Sequence, residues 1–176
     1  MGRFAHEAAA VDPATGNVYE TEDSSGKSGF YRYVPDIKNG APGSLAMGGV
    51  LQMAKVKGMP NVNLGTAPLN ARYELEWVPV ADPDANRGNA VGQTGVAITN
   101  AAGPFVQGWQ LGALRMNRGE GIWYAQGKMY VMDTAGGAVS SSSRRVSVER
   151  SPRSGRPPRP APVRTEPRRI VRRPAS

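Results

Sequence analysis

Alternating apolar and polar positions dominate the first three quarters of the chain and predict strands far more often than helices. An apolar run over residues 8–11 leads into Asp-Pro-Ala-Thr-Gly at 12–16, whose residue types favour a tight reversal of the chain. The alternating residues 17–21 follow, so this stretch predicts a β-hairpin. Three further strands are predicted, over 29–35, 50–56 and 73–80.

One segment shows helical spacing instead. Within 104–115, Phe105, Trp109 and Leu114 recur at roughly helical intervals. Pro104 suits the first turn of a helix, where its missing N–H has no partner to lose. A short helix is therefore predicted over 104–115, preceded by a long loop or frayed helix over 86–104.

A second hairpin is predicted near the end of the patterned region. Its strands, 122–125 and 128–133, are separated only by Gln126-Gly127, and a two-residue loop ending in Gly is a good hairpin signal. The large aromatic residues of this part of the chain are interpreted as packing residues of the core or of the contacts between blades, namely Trp109, Trp123, Tyr124 and Tyr130.

The two hairpins match each other in the order of their polar residues. Each opens with a glutamate, turns at a glycine, and carries an acid six residues beyond that glycine: Glu7, Gly16 and Glu22 in the first, Glu120, Gly127 and Asp133 in the second. A repeated hairpin of this kind is typical of blade-based β-architectures. The pattern predicts an all-β fold of propeller-type blades, in which both glutamates face a shared central cavity.

Charge divides the chain into two parts. Residues 1–143 carry 11 Lys and Arg against 12 Asp and Glu, whereas residues 144–176 carry 11 Arg against 2 Glu, so the net charge of +8 arises in the tail. We predict a folded domain over 1–139 and a disordered Ser/Arg/Pro-rich tail over 140–176. The chain has no cysteine, which excludes disulfides and thiolate metal sites.

Carboxylates collect at the open ends of the two hairpins. Glu7 and Glu120 open the hairpins, and Glu22 with Asp23 closes the first one. Carboxylate oxygens are hard ligands that suit a metal cation. A solvated surface carboxylate is the alternative at each of these positions, and the residues alone leave both readings open.

A basic residue stands beside these acids. Arg118 precedes Glu120 by two residues, which places both side chains on one face of an extended segment. A planar guanidinium can meet two oxygens of one anion at once, so the pair could hold an anion beside a cation. His6, the single histidine, is interpreted as a hydrogen-bonded structural residue, and Glu20 as a surface carboxylate.

These blocks resemble a known family. HEAAAVDPATGNVYETED and GFYRYVPD, followed much later by RGEGIWY and GKMYVMDTAGG, are similar to the PhoX-type bacterial alkaline phosphatases. The resemblance implies a β-propeller enzyme that hydrolyses phosphate monoesters with calcium and iron. It also implies that Glu7, Glu22, Asp23 and Glu120 are metal ligands and that Arg118 holds the substrate phosphate.

The chain also departs from the family pattern. It lacks a cysteine to help hold iron, and Arg/Pro-rich sequence follows Gly137 where further blades are expected. We therefore expect an incomplete propeller piece that is monomeric, binds a phosphate monoester and no membrane, and contacts nucleic acid only weakly through its tail. The resemblance implies an exported protein, although no signal peptide is recognisable.

Two other functions remain open on the sequence. One is a non-catalytic, calcium-binding propeller fragment, which would use the same acids. The other is a chain that binds anions or nucleic acid electrostatically through its basic tail.

Overall fold

The computed structural model describes residues 1–134, 137–142 and 145–149. Eleven strands and one α-helix lie in this part of the chain. In chain order they are β1 (His6–Val11), β2 (Val18–Glu22), β3 (Phe30–Pro35), β4 (Gly49–Val56), β5 (Arg72–Pro79), β6 (Gly88–Val91), β7 (Ala97–Ala101), α1 (Gly103–Gln110), β8 (Gly119–Ala125), β9 (Lys128–Asp133), β10 (Gly137–Ser142) and β11 (Arg145–Glu149). Short 3-10 turns occupy Ser44–Met47 and Leu64–Thr66.

Nine strands form one antiparallel sheet in the order β1-β2-β3-β4-β5-β11-β10-β9-β8, and β6 pairs with β7 in a second sheet. The predicted all-β class is confirmed. β1–β4 and β8–β11 are each a four-stranded meander, the unit from which propeller blades are built. In the described residues β5 joins these two meanders into a single sheet, and the sheet does not close into a barrel.

Strands β2 to β4 are central because they bury side chains on both faces. One core cluster packs residues of these strands against α1, among them Tyr31, Met53, Phe105 and Trp109. The other lies on the opposite face and includes Tyr19, Val56 and Val131. Alternation along each strand sends successive side chains into different clusters, which explains why all five residues of β2 are buried.

Three expectations about these elements are wrong. The helix ends at Gln110 rather than at 115, because Gly112 takes a left-handed conformation (φ +87°) that ends a helix readily. Residues 86–104 contain the β6–β7 hairpin instead of a loop or frayed helix. Trp123 and Tyr130 are not core residues, since they are 72 % and 38 % exposed.

The predicted tail begins within the described region. Residues 140–142 and 145–149, which the sequence assigned to the tail, lie in β10 and β11. The remainder of the predicted tail lies outside the described residues, and the division at 139 stays a prediction.

Candidate functional site

The two hairpins carry a bulge at the same place. In the β1–β2 ladder His6 pairs with Glu22 and Ala9 with Glu20, so Glu7 and Ala8 together face a single residue of β2. A bulge sets two residues against one and turns their side chains out of the regular alternation. Glu7 is thus displayed at an irregular point of the first strand.

The second hairpin repeats this arrangement. Gly119 pairs with Asp133 and Ile122 with Val131, so Glu120 and Gly121 face one residue of β9. The ladder register therefore confirms the predicted correspondence between the two hairpins. Each glutamate lies in the bulge of its hairpin's first strand.

Arg118 binds two of the predicted site acids. Its Nε lies 2.9 Å from Oδ1 of Asp23 and its Nη2 lies 3.0 Å from Oδ2, which is a two-pronged hydrogen bond. Nη2 also lies 3.3 Å from Oε1 of Glu120. We call Arg118, Asp23, Glu120 and Thr134 the Arg118 cluster.

The charges of the cluster act on one another. The pKa of Asp23 is lowered, chiefly by the hydrogen bond from Arg118. The pKa of Arg118 is raised above its usual value by the hydrogen bonds and charge of Asp23, then by the charge of Glu120, with a smaller contribution from Glu7. Asp23 and Glu120 therefore contact the guanidinium directly, whereas Glu7, the third of the four predicted acids, acts on its pKa only weakly through charge.

Backbone contacts hold the segment from Arg118 to Glu120 in place. Arg118 adopts a left-handed conformation (φ +66°), and its carbonyl accepts a hydrogen bond from the backbone N–H of Thr134 at 3.1 Å. The hydroxyl of Thr134 donates to Oε1 of Glu120 at 2.6 Å. The N–H of Gly119 donates to the buried hydroxyl of Ser28 at 2.9 Å. The positions of Arg118 and Glu120 are consequently fixed from both sides.

Glu22 lies apart from the Arg118 cluster. Its side chain is buried, with Oε2 accepting hydrogen bonds from the Tyr31 hydroxyl at 2.8 Å and from the Gly29 N–H at 3.0 Å. Burial raises the pKa of Glu22 from 4.5 to about 7, against the lowering effect of these hydrogen bonds. The structure thus brings Asp23 and Glu120 into contact with Arg118, with Glu7 near enough to act weakly on its charge, but it does not bring the Glu22 side chain to them.

Glu20 lies on the same face of β2 as Glu22, and its assignment to the surface is wrong. It is 3 % exposed, and its Oε1 lies 3.4 Å from Nδ1 of His6. The strand is buried on both faces, so a polar residue in the pattern did not mark a solvent-facing side. His6 is hydrogen-bonded as expected, through Nε2 to the Gly2 carbonyl at 2.7 Å.

Within residues 1–134, 137–142 and 145–149, no three His, Cys, Asp or Glu side chains lie close enough together to hold a metal ion. The guanidinium of Arg118 instead pairs with both Asp23 and Glu120. The donor chemistry still suits a hard cation, because Glu7, Asp23 and Glu120 supply three carboxylates against one positive charge. Calcium therefore fits the residues present by ligand type and charge. The single histidine is engaged by Gly2 and the chain contains no thiol, so iron gains no comparable support.

Three hydroxyl residues of the site were not identified from the sequence: Thr21, Ser28 and Thr134. Thr21 and Ser28 are fully buried. Thr21 precedes Glu22, Ser28 follows Asp23 by five residues and Thr134 follows Asp133, but Thr and Ser near strand ends are too common for such spacing to identify them. Only the fold shows which backbone groups they contact.

The family model described as alkaline phosphatase PhoX matches residues 1–159. No curated protein and no solved structure matches the chain. Among the helices of the described region, none has the length and apolar character needed to cross a membrane.

Proposed function

We propose, from the premise that this chain belongs to the alkaline phosphatase PhoX family, that it binds phosphate monoesters at the Arg118 cluster and takes part in their hydrolysis. Family membership supplies the class of reaction. The geometry of the cluster supports the choice of place and residues. In this proposal Arg118 holds the phosphate, and Glu7, Asp23 and Glu120 bind the cation.

The observation that carries the proposal is the two-pronged contact between Arg118 and Asp23. A carboxylate and a phosphate present the same pair of oxygens to a guanidinium, so Arg118 is already oriented for phosphate. The Arg118 side chain is 48 % exposed, and a pair at such a surface contributes little to stability. A phosphate dianion can therefore replace Asp23 on Arg118 without a large loss of folding free energy.

When phosphate replaces Asp23 on Arg118, the Asp23 carboxylate becomes available to bind a cation. Asp23, once freed, lies beside Glu120 and can bind a cation with it and with Glu7. A calcium ion held by these acids would neutralise phosphoryl oxygens and lower the pKa of a water molecule. Glu22 joins the ligands, as the resemblance implies, only after leaving Tyr31 and Gly29.

The residues of the chain each perform a defined task in this scheme. Arg118 orients the phosphate and stabilises the negative charge that develops on its oxygens. Thr134 restrains Glu120 through its hydroxyl, which keeps the carboxylate beside the guanidinium. The left-handed backbone at Arg118 directs its side chain toward Asp23, on the neighbouring hairpin.

Hydrolysis of p-nitrophenyl phosphate by the full chain tests this function. We expect turnover that requires calcium, disappears on addition of a chelator, and falls at least 100-fold in Arg118→Ala. The matched control is Arg72→Ala, which removes an exposed arginine of β5 and is expected to leave turnover unchanged. Equal turnover in wild type and Arg118→Ala would overturn the assignment of the phosphate site.

A second candidate is a calcium-binding module without turnover. The observation that favours it is the excess of acid at the site, since two carboxylates contact one guanidinium and the charge of Glu7 also acts on it. In that case calcium would raise the melting temperature of the chain, the increase would be smaller in Asp23→Asn, and no hydrolysis would accompany it. Turnover that depends on Arg118 excludes this candidate.

The family resemblance also favours an exported protein. Cell fractionation of the tagged protein in a bacterial host tests this. A tagged chain confined to the cytosolic fraction contradicts it.

A further inference from the structure

We propose that Thr21 is a positioning residue whose buried hydroxyl links the two glutamate bulges and sets the separation between Glu7 and Glu120. The inference concerns the placement of the acids, and only its activity readout rests on the proposed function. β1 and β8 lie at opposite ends of the strand order and pack against each other without a hydrogen-bonded ladder, so no strand register fixes how far apart the two bulges are.

The hydroxyl of Thr21 contacts a backbone group of each bulge. It accepts a hydrogen bond from the N–H of Ala8 at 3.2 Å and donates one to the carbonyl oxygen of Glu120 at 2.6 Å. The Ala8 N–H belongs to the peptide unit that joins Glu7 to Ala8. One hydroxyl therefore holds the backbone at both glutamates.

Bulges explain why these groups need a side-chain partner. A bulge interrupts the regular ladder and leaves a backbone N–H or C=O without its strand partner. Such groups are strongly disfavoured when buried unless something else bonds to them. Thr21 lies opposite the first bulge in the β1–β2 register, is fully buried, and satisfies one group from each hairpin.

The geometry of the hydroxyl is selective. A threonine hydroxyl has one proton to donate and lone pairs to accept, so it can accept from Ala8 while donating to Glu120. Valine has the same shape as threonine without either capacity. Serine keeps the hydroxyl and loses only a methyl group. These two substitutions separate hydrogen bonding from volume.

The first test measures the distance between the glutamate positions directly. Because the chain contains no cysteine, Glu7→Cys and Glu120→Cys can be labelled with nitroxides, and their separation read by pulsed electron paramagnetic resonance. In the doubly labelled chain that retains Thr21, we expect one narrow distribution of the distance between the two nitroxides. Thr21→Val should widen it at least twofold, and Thr21→Ser should restore the original width.

Controls distinguish positioning from general loosening. Tyr33→Phe removes another hydroxyl that donates to a backbone carbonyl, that of Leu45, far from the bulges, and should leave the distribution narrow. If Thr21→Val does not fold, Thr21→Ala removes the same hydroxyl without adding volume. An unchanged distribution in the folded hydroxyl-free variant, or equal widening in Tyr33→Phe, overturns the proposal.

The second test uses activity in the cysteine-free protein. Thr21→Val is expected to lower kcat for p-nitrophenyl phosphate about tenfold with a smaller change in KM, and Thr21→Ser to recover at least half of the wild-type kcat. A wild type without turnover contradicts the proposed function, and the distance measurement then decides the role of Thr21 alone. Wild-type kcat in Thr21→Val, together with an unchanged distribution, overturns the role as well.

Discussion

At the residue scale, burial decides more of the chemistry than sequence position does. Glu22 and Asp23 are neighbours in the chain, yet burial raises the pKa of Glu22 while Arg118 lowers that of Asp23. Adjacent residues of a strand point to opposite faces, so the two carboxyls enter different surroundings. One faces the core beside Tyr31 and the other faces a half-exposed guanidinium.

Burial of Glu22 predicts a pH-dependent stability. Between pH 4.5 and about 7 the unfolded carboxyl ionises while the folded one keeps its proton, so the free energy of unfolding falls as pH rises through this window. A shift of this size corresponds to a loss of about 3 kcal/mol by pH 8. Glu22→Gln, which cannot ionise, should lose that part of the pH dependence.

Urea unfolding of wild type and Glu22→Gln across this pH range checks the prediction. The control is Glu76→Gln, which changes an exposed carboxyl paired with Lys55. If the free energy of unfolding changes with pH in the same way for wild type and Glu22→Gln, Glu22 ionises equally in the folded and unfolded states.

Glycines near the site give a second prediction at this scale. A Cβ on Gly119 would lie 2.8 Å from the Ser28 hydroxyl and 3.0 Å from the Glu22 carbonyl oxygen, whereas one on Gly121 would have nothing within 4 Å. Overpacking of this kind lowers stability by about 1–3 kcal/mol. Gly119→Ala should lose that much, and Gly121→Ala, two residues away in the same strand, should change by less than about 0.5 kcal/mol.

Chemical unfolding of both variants provides the measurement. The short approach to Ser28 matters because Ser28 also bonds the Glu22 carbonyl and thereby connects β2 to the start of β8. Equal stability of the two alanine variants would mean that the contact between Ser28 and Gly119 can relax freely.

At the element scale, the hairpins were predictable and the helix boundary was not. Two-residue loops and alternating strands are local signals, so Gln126-Gly127 identified the β8–β9 turn correctly. Leu114 fitted the helical spacing, but it packs in the second core cluster beyond the end of α1. The bulges could not be predicted, because a bulge is defined by a partner strand and neither glutamate pattern contains that information.

The β8–β9 turn carries its own prediction. Gln126 has a positive φ of 50° and Gly127 one of 74°, which is the conformation of a mirror-image turn that favours Asn-Gly. A non-glycine residue in this region is disfavoured by roughly 1 kcal/mol, and asparagine less so. Gln126→Asn should therefore raise the free energy of unfolding by about 0.5 kcal/mol, and Gly127→Ala should lower it by about 1 kcal/mol.

Thermal and urea unfolding of the two turn variants would measure both changes. Because Gln126 and Gly127 are exposed, these changes are expected to leave the β8–β9 register intact. A destabilised Gln126→Asn would indicate that the turn relaxes to another conformation in solution.

At the scale of the whole molecule, the sequence predicted the class of fold but not how its parts meet. Antiparallel strands and the pairing of the two hairpins follow from local patterns. The joining of both meanders through β5 depends on strands separated by about 70 residues, since Tyr73 pairs with Val146. Long-range pairings of this kind leave little trace in a single sequence, and the same is true of the contact between Arg118 and Asp23.

Two core clusters on opposite faces of the central strands lead to the last prediction. Ile98 belongs to the cluster under α1, whereas Val56 and Val131 belong to the one under β8 and β9. Substitutions in separate clusters share no packing partners, so Ile98→Val and Val131→Ala should add within about 0.5 kcal/mol in the double variant. Val56→Ala and Val131→Ala, which empty the same cluster, should deviate from additivity by more than that. Urea unfolding of the single and double variants measures both coupling energies. A coupling energy of about 1 kcal/mol between Ile98 and Val131 would mean that repacking on one face of the central strands alters packing on the other.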